Sequence, residues 1–331
     1  MNSKHTIKWG IIGLGNIARL FAEDLKLVED AELVAVASSN LERATAFAQE
    51  FDANKAYGSY VELFADPEVD IVYIATYHHT HCTFSVQAMN HGKHVLCEKP
   101  IAIDKMEAMQ MIEAAQRNKV FFMEAFWSRF NPSIAKVKQL VDAGEIGALR
   151  YLNAEFTFHV LDSDPKSRML NTELAGGSLL DMGVYPIFLS YLLFGKPKEI
   201  LARSQFHDTG AEIQTSMLFQ YDHAQAVLYS GFANNTDMRA KIGGEAGEIF
   251  IEPIWHEAQG FTVRKNWEDQ EFPMPTLGRG YAHEVIECHQ CVRAGKIESA
   301  KWSHNDSFEL ISIVDTVRER AGIRFPFESE T

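Results

Sequence analysis

Residues 7–18, IKWGIIGLGNIA, decide the fold, because a short apolar run passes there directly into a glycine-rich turn. The turn has the pattern G-x-G-x-x-A, carried by Gly13, Gly15 and Ala18. Gly13 permits a tight turn after a strand, Gly15 lets the backbone approach a pyrophosphate, and Ala18 lets the next helix lie close on the sheet. With the helix that follows and a second strand over 31–38, the stretch forms a βαβ unit and predicts dinucleotide binding.

The end of the second predicted strand should face the adenosine ribose of the dinucleotide. Ser38, Ser39 and Asn40 stand there, where an Asp or Glu would select NAD, and Arg43 follows one helical turn later. Two hydroxyls and a guanidinium favour a 2′-phosphate, and therefore NADP(H) over NAD(H). The alternative is that Arg43 is simply a solvated helix residue. The predicted contacts of this half of the cofactor are Gly13, Gly15, Asn16, Ile17, Ser38, Ser39 and Arg43.

Bulk composition predicts a globular protein of two domains. The chain has 331 residues, of which 46% are hydrophobic and 23% charged. Its 31 basic and 45 acidic residues give a net charge of −14, which argues against nucleic acid or an anionic membrane as partner. Four cysteines, with no signal-like segment and no apolar run of membrane length, predict a cytoplasmic protein with free thiols.

The pattern of elements changes near residue 125. Before this point strands and helices alternate, which predicts an α/β Rossmann domain with a parallel sheet over residues 1–125. Longer strand-like runs follow, which predict an α+β C-terminal domain with a mostly antiparallel open sheet over residues 126–331. The predicted strands of this domain are 149–160, 212–222, 223–232 and 247–253, and its predicted helices are 178–195, 281–294 and 306–321.

Polar residues follow two strands of the predicted Rossmann sheet. Ligands of such sheets lie beyond the carboxyl ends of the strands, so the residues after 71–75 and at 98–100 should border the cofactor. His78, His79, His81 and Cys82 suggest metal ligands at first sight, but no second cluster stands at zinc spacing, and no metal site is predicted. The cofactor contacts predicted at these strand ends are Thr76, Tyr77, His78, His81, Glu98 and Lys99.

Lys99 is the first candidate for chemistry. It precedes Pro100, which holds its backbone extended at the end of a strand of the cofactor sheet. A fixed ammonium beside a nicotinamide would stabilise an alkoxide as hydride leaves the carbinol carbon. The alternative is a surface lysine in a salt bridge with Glu98.

Tyr185 is the second candidate, with Asp181 one helical turn before it. Residues four apart share the face of an α-helix, and Ser178 is predicted to cap this helix. A phenol titrates near pH 10, and a close ammonium such as that of Lys99 would favour the phenolate, so the two would form a proton-transfer pair. The alternative is an ordinary half-buried aromatic residue. The aromatic residues that suit either a substrate wall or the core are Trp127, Phe156, Phe158 and Trp255.

The chain resembles the glucose–fructose oxidoreductase / inositol dehydrogenase / MocA family over nearly its whole length. The resemblance rests on G-x-G-x-x-A at 13–18, CEKP at 97–100, WSRFNP at 127–132, GEIG at 144–147 and GGSLLDMGVY at 176–185. It is strongest to the branch that contains dimeric dihydrodiol and D-xylose dehydrogenases, which ends the last element with Tyr where most of the family has His.

The resemblance implies an NAD(P)-dependent dehydrogenase that acts on the CH–OH group of a sugar, polyol or cyclic diol. It implies Lys99 and Tyr185 as acid/base residues supported by Asp181, and Arg168 near the nicotinamide end. It also implies a homodimer or homotetramer formed through the C-terminal sheet. The alternative function is a non-catalytic NAD(P)-binding redox sensor, although a sensor has no need of an aligned acid/base pair.

Three positions depart from the family pattern. Ser167 replaces a Trp often found before Arg168, and Tyr77 replaces a Pro common after the strand. Ser39 stands where the dihydrodiol branch has a basic residue for the 2′-phosphate, whereas Arg43 is retained. The NADP preference therefore depends chiefly on Arg43.

Overall fold

The computed structural model describes residues 6–328 and contains two compact units. The first unit includes the chain up to Phe130 together with Leu277–Phe308. The second includes Asn131–Thr276 together with the residues from Glu309 onward. The domain boundary between residues 125 and 126 stays a prediction, and residues 1–5 and 329–331 of its two ranges lie outside the described part of the chain.

The first unit contains the predicted parallel sheet. Its strands are β1 (Ile7–Ile12), β2 (Ala31–Ala37), β3 (Lys55–Tyr57), β4 (Ile71–Ile74), β5 (His94–Glu98) and β6 (Phe122–Ala125). They are ordered β3-β2-β1-β4-β5-β6, and every neighbouring pair is parallel. Strands β1 to β3 are added towards one edge of the sheet and β4 to β6 towards the other, so the strand order reverses between β1 and β4. Such sheets bind ligands at this point. The Rossmann prediction is therefore confirmed.

The second unit contains the predicted antiparallel sheet. Its strands are β7 (Leu149–Thr157), β8 (Glu199–Phe206), β9 (Glu212–Gln220), β10 (Gln225–Gly231), β11 (Ala240–Gly244), β12 (Glu248–Ile251), β13 (Gly260–Lys265) and β14 (Glu268–Pro273). They are ordered β14-β13-β12-β11-β7-β10-β9-β8, and only β7 and β10 pair in parallel among these strands. The sequence analysis missed β8, β11, β13 and β14. The residues of β14 are mostly charged and exposed and show no apolar alternation.

Helices connect and flank these strands. They are α1 (Asn16–Leu25), α2 (Leu41–Phe51), α3 (Tyr60–Ala65), α4 (His81–Asn90), α5 (Lys105–Asn118), α6 (Pro132–Asp142), α7 (Val184–Phe194), α8 (Tyr281–Arg293) and α9 (His304–Ala321). The side chains of Asn40 and Asp104 cap α2 and α5, accepting from the amides of Arg43 (2.9 Å) and Glu107 (2.8 Å). Over residues 6–328 there is no helix both long and apolar enough to cross a bilayer.

Two contacts explain why α8 belongs to the first unit although it comes late in the chain. The buried Asp24 carboxylate, at the end of α1, accepts hydrogen bonds from the amides of Gly280 (2.9 Å) and Tyr281 (2.8 Å), and so caps α8. The fully buried indole of Trp9 in β1 donates to Nε2 of His289 in α8 (2.9 Å). Both contacts join residues more than two hundred positions apart, so no local sequence pattern predicts them.

The predicted single α-helix over 178–195 is wrong in its first turn. Leu179–Gly183 form a π-helical turn, and α7 follows it. The four-residue spacing that places Asp181 and Tyr185 on one face applies to an α-helix and does not hold across this turn. Gly183 gives room here, because a Cβ at this position would lie 2.8 Å from Cδ1 of Leu179 and 2.9 Å from Oγ of Ser230 in β10, so these side chains would have to shift.

Candidate active site

The glycine turn has the geometry that a pyrophosphate requires. Gly13 has φ +79°, and a Cβ there would come within 2.4 Å of the Ala75 carbonyl, so only glycine fits. The Gly15 amide donates to the Gly13 carbonyl (2.7 Å), and Gly15 and Asn16 are exposed. The first turn of α1 has no side-chain cap and no acidic residue. Its amides, including that of Ile17, therefore suit an anion, and the turn fits the predicted dinucleotide.

The two hydroxyls predicted to bind the cofactor at the end of β2 differ in their exposure. Ser38 is buried, and its Oγ accepts from the amide of Asn40 (3.2 Å). Ser39 and Arg43 are exposed, Arg43 in the first turn of α2. The hydroxyl and guanidinium that remain accessible to a 2′-phosphate are therefore those of Ser39 and Arg43.

The predicted contacts after β4 differ in exposure. The Thr80 hydroxyl donates to Oγ1 of Thr76 (2.8 Å), which fixes the start of a short 3₁₀ turn. Tyr77 is half exposed, and His78 is partly exposed within the turn. His81 is fully buried, with Nδ1 2.9 Å from the Pro100 carbonyl and Nε2 3.2 Å from that of Thr76. His81 thus connects two strand ends of the candidate cofactor site.

Burial determines the protonation of His81. Removal from water lowers its pKa to about 4, although the two carbonyls act in the opposite direction. The ring is therefore neutral at physiological pH and donates to one carbonyl at a time.

Two buried carboxyls hold the segment around Lys99. Glu98 accepts from the Tyr73 hydroxyl with Oε1 and from the Lys99 amide with Oε2 (3.1 Å). Glu124 accepts from the amide of Ile101 with Oε1 (2.9 Å). Lys99 itself is partly exposed at the end of β5. Its backbone is therefore fixed on both sides, as a residue that acts on a bound ligand requires.

Buried acids in the first unit are shifted towards their neutral forms. Burial raises the pKa of Glu124 to about 7. Burial, together with the nearby Glu98 and Asp24, raises the pKa of Glu284 in α8 well above its ordinary value. Neither Glu284 oxygen has a hydrogen-bond partner within the described residues. Sequence reasoning missed Tyr73 and Glu284 because each reads as an ordinary member of its strand or helix.

In the second unit, Asp181 lies in the π turn beside Arg168. The Arg168 Nη1 lies 3.2 Å from Oδ1 of Asp181, and the Asp181 side chain is 12% exposed. The structure thus brings together two residues that the sequence analysis selected on separate grounds.

Tyr185 packs against two other rings. Its centroid lies 5.1 Å from those of Phe156 in β7 and His256, and the rings of Phe156 and His256 are stacked at 4.0 Å. Phe158 lies between Phe156, at 6.2 Å, and Phe232, at 5.9 Å. Sequence reasoning missed His256, which lies in a short 3₁₀ turn after β12, Trp255–Glu257, that is too short to show a periodic pattern.

The remaining aromatic candidates are buried. Trp127, in the first unit, is 4% exposed and stacks on Tyr281 at 4.8 Å. Trp255 is fully buried, and its indole donates to the Glu155 carbonyl (2.9 Å). Of the two interpretations of Trp255, this position favours the core.

Ser178 does not cap its helix as predicted. Its side chain makes no cap hydrogen bond and donates instead to Oε1 of Glu212 (2.7 Å). The cap comes from Glu212, whose Oε2 accepts from the amide of Leu179 (2.8 Å). The prediction failed because an acceptor on the distant strand β9 replaces the local one.

Family models match both parts of the chain. Residues 7–126 match an oxidoreductase family with an NAD-binding Rossmann fold, and residues 134–250 match the GFO/IDH/MocA C-terminal domain. The chain belongs to the GFO/IDH/MocA oxidoreductase family. The predicted family, fold and enzyme class are thereby confirmed, and the chain is an NAD(P)-dependent oxidoreductase. The predicted site residues stay predictions.

Curated relatives extend over the full chain. The chain is 35% identical to trans-1,2-dihydrobenzene-1,2-diol dehydrogenase of Mus musculus, covering 97% of this chain and 98% of that protein. It is 34% identical to D-xylose 1-dehydrogenase (NADP(+)) of Hypocrea jecorina, covering 97% and 94%. Among solved structures, a 3-ketoreductase from Actinomadura kijaniata in complex with NADP and TDP-benzene is similar with a TM-score of 0.86 and 26% identity, covering 96% and 98%.

Proposed function

We propose that this oxidoreductase transfers hydride between NADP(H) and a secondary alcohol of a sugar, polyol or cyclic diol. The observation that carries the proposal is the ring cluster of Tyr185, Phe156 and His256, which sets a phenol among aromatic faces. Such faces pack well against the apolar face of a sugar or carbocycle. The mouse and Hypocrea relatives are named as diol and xylose dehydrogenases, which supports the same substrate class.

NADP(H) is the proposed cofactor, with NAD(H) accepted more weakly. Ser39 and Arg43 are exposed after β2, and no carboxylate stands at the strand end to repel a 2′-phosphate. The Hypocrea relative is named as NADP-dependent, and the Actinomadura structure contains NADP. When bound, the nicotinamide would supply the hydride acceptor or donor.

The residues of this chain would handle the proton. In the oxidation direction the substrate hydroxyl would lose its proton to the phenolate oxygen of Tyr185, a form that the Lys99 ammonium would favour, as hydride passes from the carbinol carbon to the nicotinamide. The Lys99 ammonium would stabilise the developing negative charge. Asp181, paired with Arg168, would supply hydrogen bonds that orient the substrate. Each of these roles is proposed for one residue and can be tested on that residue alone.

We further propose a homodimer, or a homotetramer built from it, formed through the second unit. Val227 in β10 pairs with Leu218 in β9, which pairs with Leu201 in β8. Leu201 is 55% exposed and Val227 is 40% exposed, so they form an apolar row on one sheet face. A second copy of that face would cover the row by two-fold symmetry. The size of the native particle, compared with that of a Leu201→Glu variant, tests this proposal.

A cytoplasmic location is also proposed. All four cysteines are buried free thiols, which suits a reducing compartment. Fractionation of source cells with an antibody against the chain tests this location.

Two measurements test the proposed function. Titration with NADPH and with NADH, followed by nicotinamide fluorescence, should give tighter binding of NADPH. Incubation with NADP⁺ and a panel of D-xylose, a trans-dihydrodiol and myo-inositol should then generate reduced nicotinamide. Cofactor binding without turnover of any of these alcohols would contradict the proposed substrate class. Tighter NADH binding would overturn the cofactor preference alone.

A further inference from the structure

Glu212 is a buried carboxylate beneath the turn that carries Asp181. Glu212 lies in β9 and is only 1% exposed. Oε1 accepts from the hydroxyls of Ser178 (2.7 Å) and Thr215 (2.6 Å), and Oε2 accepts from the amide of Leu179 (2.8 Å). Burial of a carboxylate is costly unless donors compensate it, and here hydroxyls and a backbone amide do so.

The hydrogen bonds continue on both sides of Glu212. Oγ of Ser178 lies 3.0 Å from Oγ of Ser230 in β10, and Oγ1 of Thr215 lies 2.6 Å from Oγ of Ser204 in β8. Ser230 also lies against Gly183, at the other end of the π turn. The start of the turn is therefore held to the sheet by hydrogen bonds of one buried polar network, and its end packs against Ser230 of the same network.

The network joins the sheet to the segment that matters for chemistry. The turn Leu179–Gly183 contains Asp181 and leads directly into α7, whose second residue is Tyr185. A single π turn is rare in proteins and is often found at functional sites, and the amides at the start of a helix need hydrogen-bond support from outside it. The Leu179 amide, at its first residue, obtains that support from Glu212 rather than from a local cap.

We propose that Glu212 is a positioning residue, which fixes the π turn and thereby the placement of Asp181 and Tyr185 towards substrate. The proposal rests on the proposed function, in which these two residues take part in turnover. Glu212 itself does not touch substrate or cofactor. Its effect should therefore appear in kcat and not in cofactor affinity.

The test compares Glu212→Leu with Glu212→Gln, which have similar volume. Leu makes none of the three hydrogen bonds. Gln retains all three contacts, because its oxygen accepts from the Leu179 amide and its NH₂ group donates to the two hydroxyls. Glu212→Leu should lower kcat about 100-fold, the cost of a small misplacement of reacting groups. Glu212→Gln should restore most of the activity.

Two readouts separate positioning from simple stability. Hydrogen exchange followed by mass spectrometry should be faster in residues 178–188 of Glu212→Leu, and NADPH affinity should be unchanged. Thr215→Val is the matched control, because it removes one donor to the same carboxylate without touching the turn, and it should keep both exchange and kcat. If Glu212→Leu does not fold, Glu212→Asp, one methylene too short, replaces it.

Unchanged exchange in residues 178–188, or faster exchange with an unchanged kcat, would overturn the proposal. Equal losses of kcat in Glu212→Leu and Thr215→Val would overturn it too. If the wild-type chain turns over no alcohol, the proposed function fails, whereas the exchange comparison still decides whether Glu212 holds the turn.

Discussion

The Arg168 guanidinium forms an ion pair with the Asp181 carboxylate, at 3.2 Å between Nη1 and Oδ1. The Arg168 side chain is 46% exposed, so the pair contributes only about 0.2–1 kcal/mol to stability. We propose that this pair serves to orient Asp181. We predict that Arg168→Met lowers kcat/KM about tenfold, because the Asp181 carboxylate loses this partner and with it part of its alignment with substrate. Steady-state kinetics on the best substrate measures this loss.

Salt provides the control for the Arg168 prediction. Ions screen a half-exposed pair, so kcat/KM of the wild type should fall towards that of Arg168→Met as ionic strength rises. Arg264→Met, which breaks another partly exposed pair with Asp269, is the matched variant and should keep normal kinetics. Equal kcat/KM values for Arg168→Met and the wild type at low salt would contradict the assigned role.

Arg43 should determine the choice between the two cofactors. It is exposed in the first turn of α2, whereas Ser38 is buried and already bonded to Asn40. Arg43→Ala should weaken NADPH binding roughly 10- to 100-fold, because one charge-assisted contact is lost, and leave NADH binding unchanged. Fluorescence titration of both cofactors measures the effect. Arg117→Ala, an exposed arginine of α5, should change neither affinity. Parallel weakening of NADPH and NADH by Arg43→Ala would refute this prediction.

Tyr185→Phe should remove turnover and leave the fold intact. Phe keeps the ring contacts with Phe156 and His256 and loses only the hydroxyl. Loss of a general acid/base should lower kcat about 10²- to 10⁴-fold. Lys99→Met should likewise remove turnover, with NADPH affinity largely retained. Single-turnover rates with NADPH binding measured on the same samples check both variants, and near-normal rates in either would exclude that residue from the chemistry.

His256 should influence substrate affinity through its stack on Phe156. The stack fixes the orientation of the Phe156 ring, so His256→Leu should let that ring move and should raise KM for ring substrates. His256→Phe keeps a stacked ring and should keep KM near normal. A raised KM in both variants would show that the imidazole nitrogens matter rather than the stack, and an unchanged KM in His256→Leu would remove His256 from the substrate site.

Local patterns predicted the first unit well and the second only in part. The glycine turn, β1, β2 and α2 depend on short-range signals such as Gly13 and the Asn40 cap, and these are visible in sequence. The π turn cannot be seen in the sequence, because a single turn of π-helix leaves the apolar pattern of the surrounding α-helix unchanged. Glu212 and Asp24 were also missed, because each caps a helix from a distant element. Nothing in the local sequence around Glu212 in its strand or Asp24 in its helix indicates which distant amides they bind.

The buried carboxyl of Glu124, which accepts from the amide of Ile101 near Lys99, leads to a prediction about the pH dependence of stability. Burial raises the pKa of Glu124 to about 7, whereas an unfolded glutamate titrates near its ordinary value of 4.5. The folded chain therefore holds the Glu124 proton more tightly than the unfolded chain, and the stability that Glu124 contributes is present below about pH 4.5 and is lost as pH rises to about 7. The full contribution is about 3 kcal/mol. Glu124→Gln has no proton to lose and should show a correspondingly smaller decline.

Urea unfolding at pH 5 and pH 7.5, followed by tryptophan fluorescence, measures the decline, because the Trp302 indole donates to Glu124 (3.0 Å) and reports on this site. Other titrating groups are common to both proteins, so only the difference between the two slopes counts. Glu113→Gln, an exposed acid on α5, is the matched control and should follow the wild type. Identical pH dependence in the wild type and Glu124→Gln would mean that Glu124 titrates in the folded chain as it does in water.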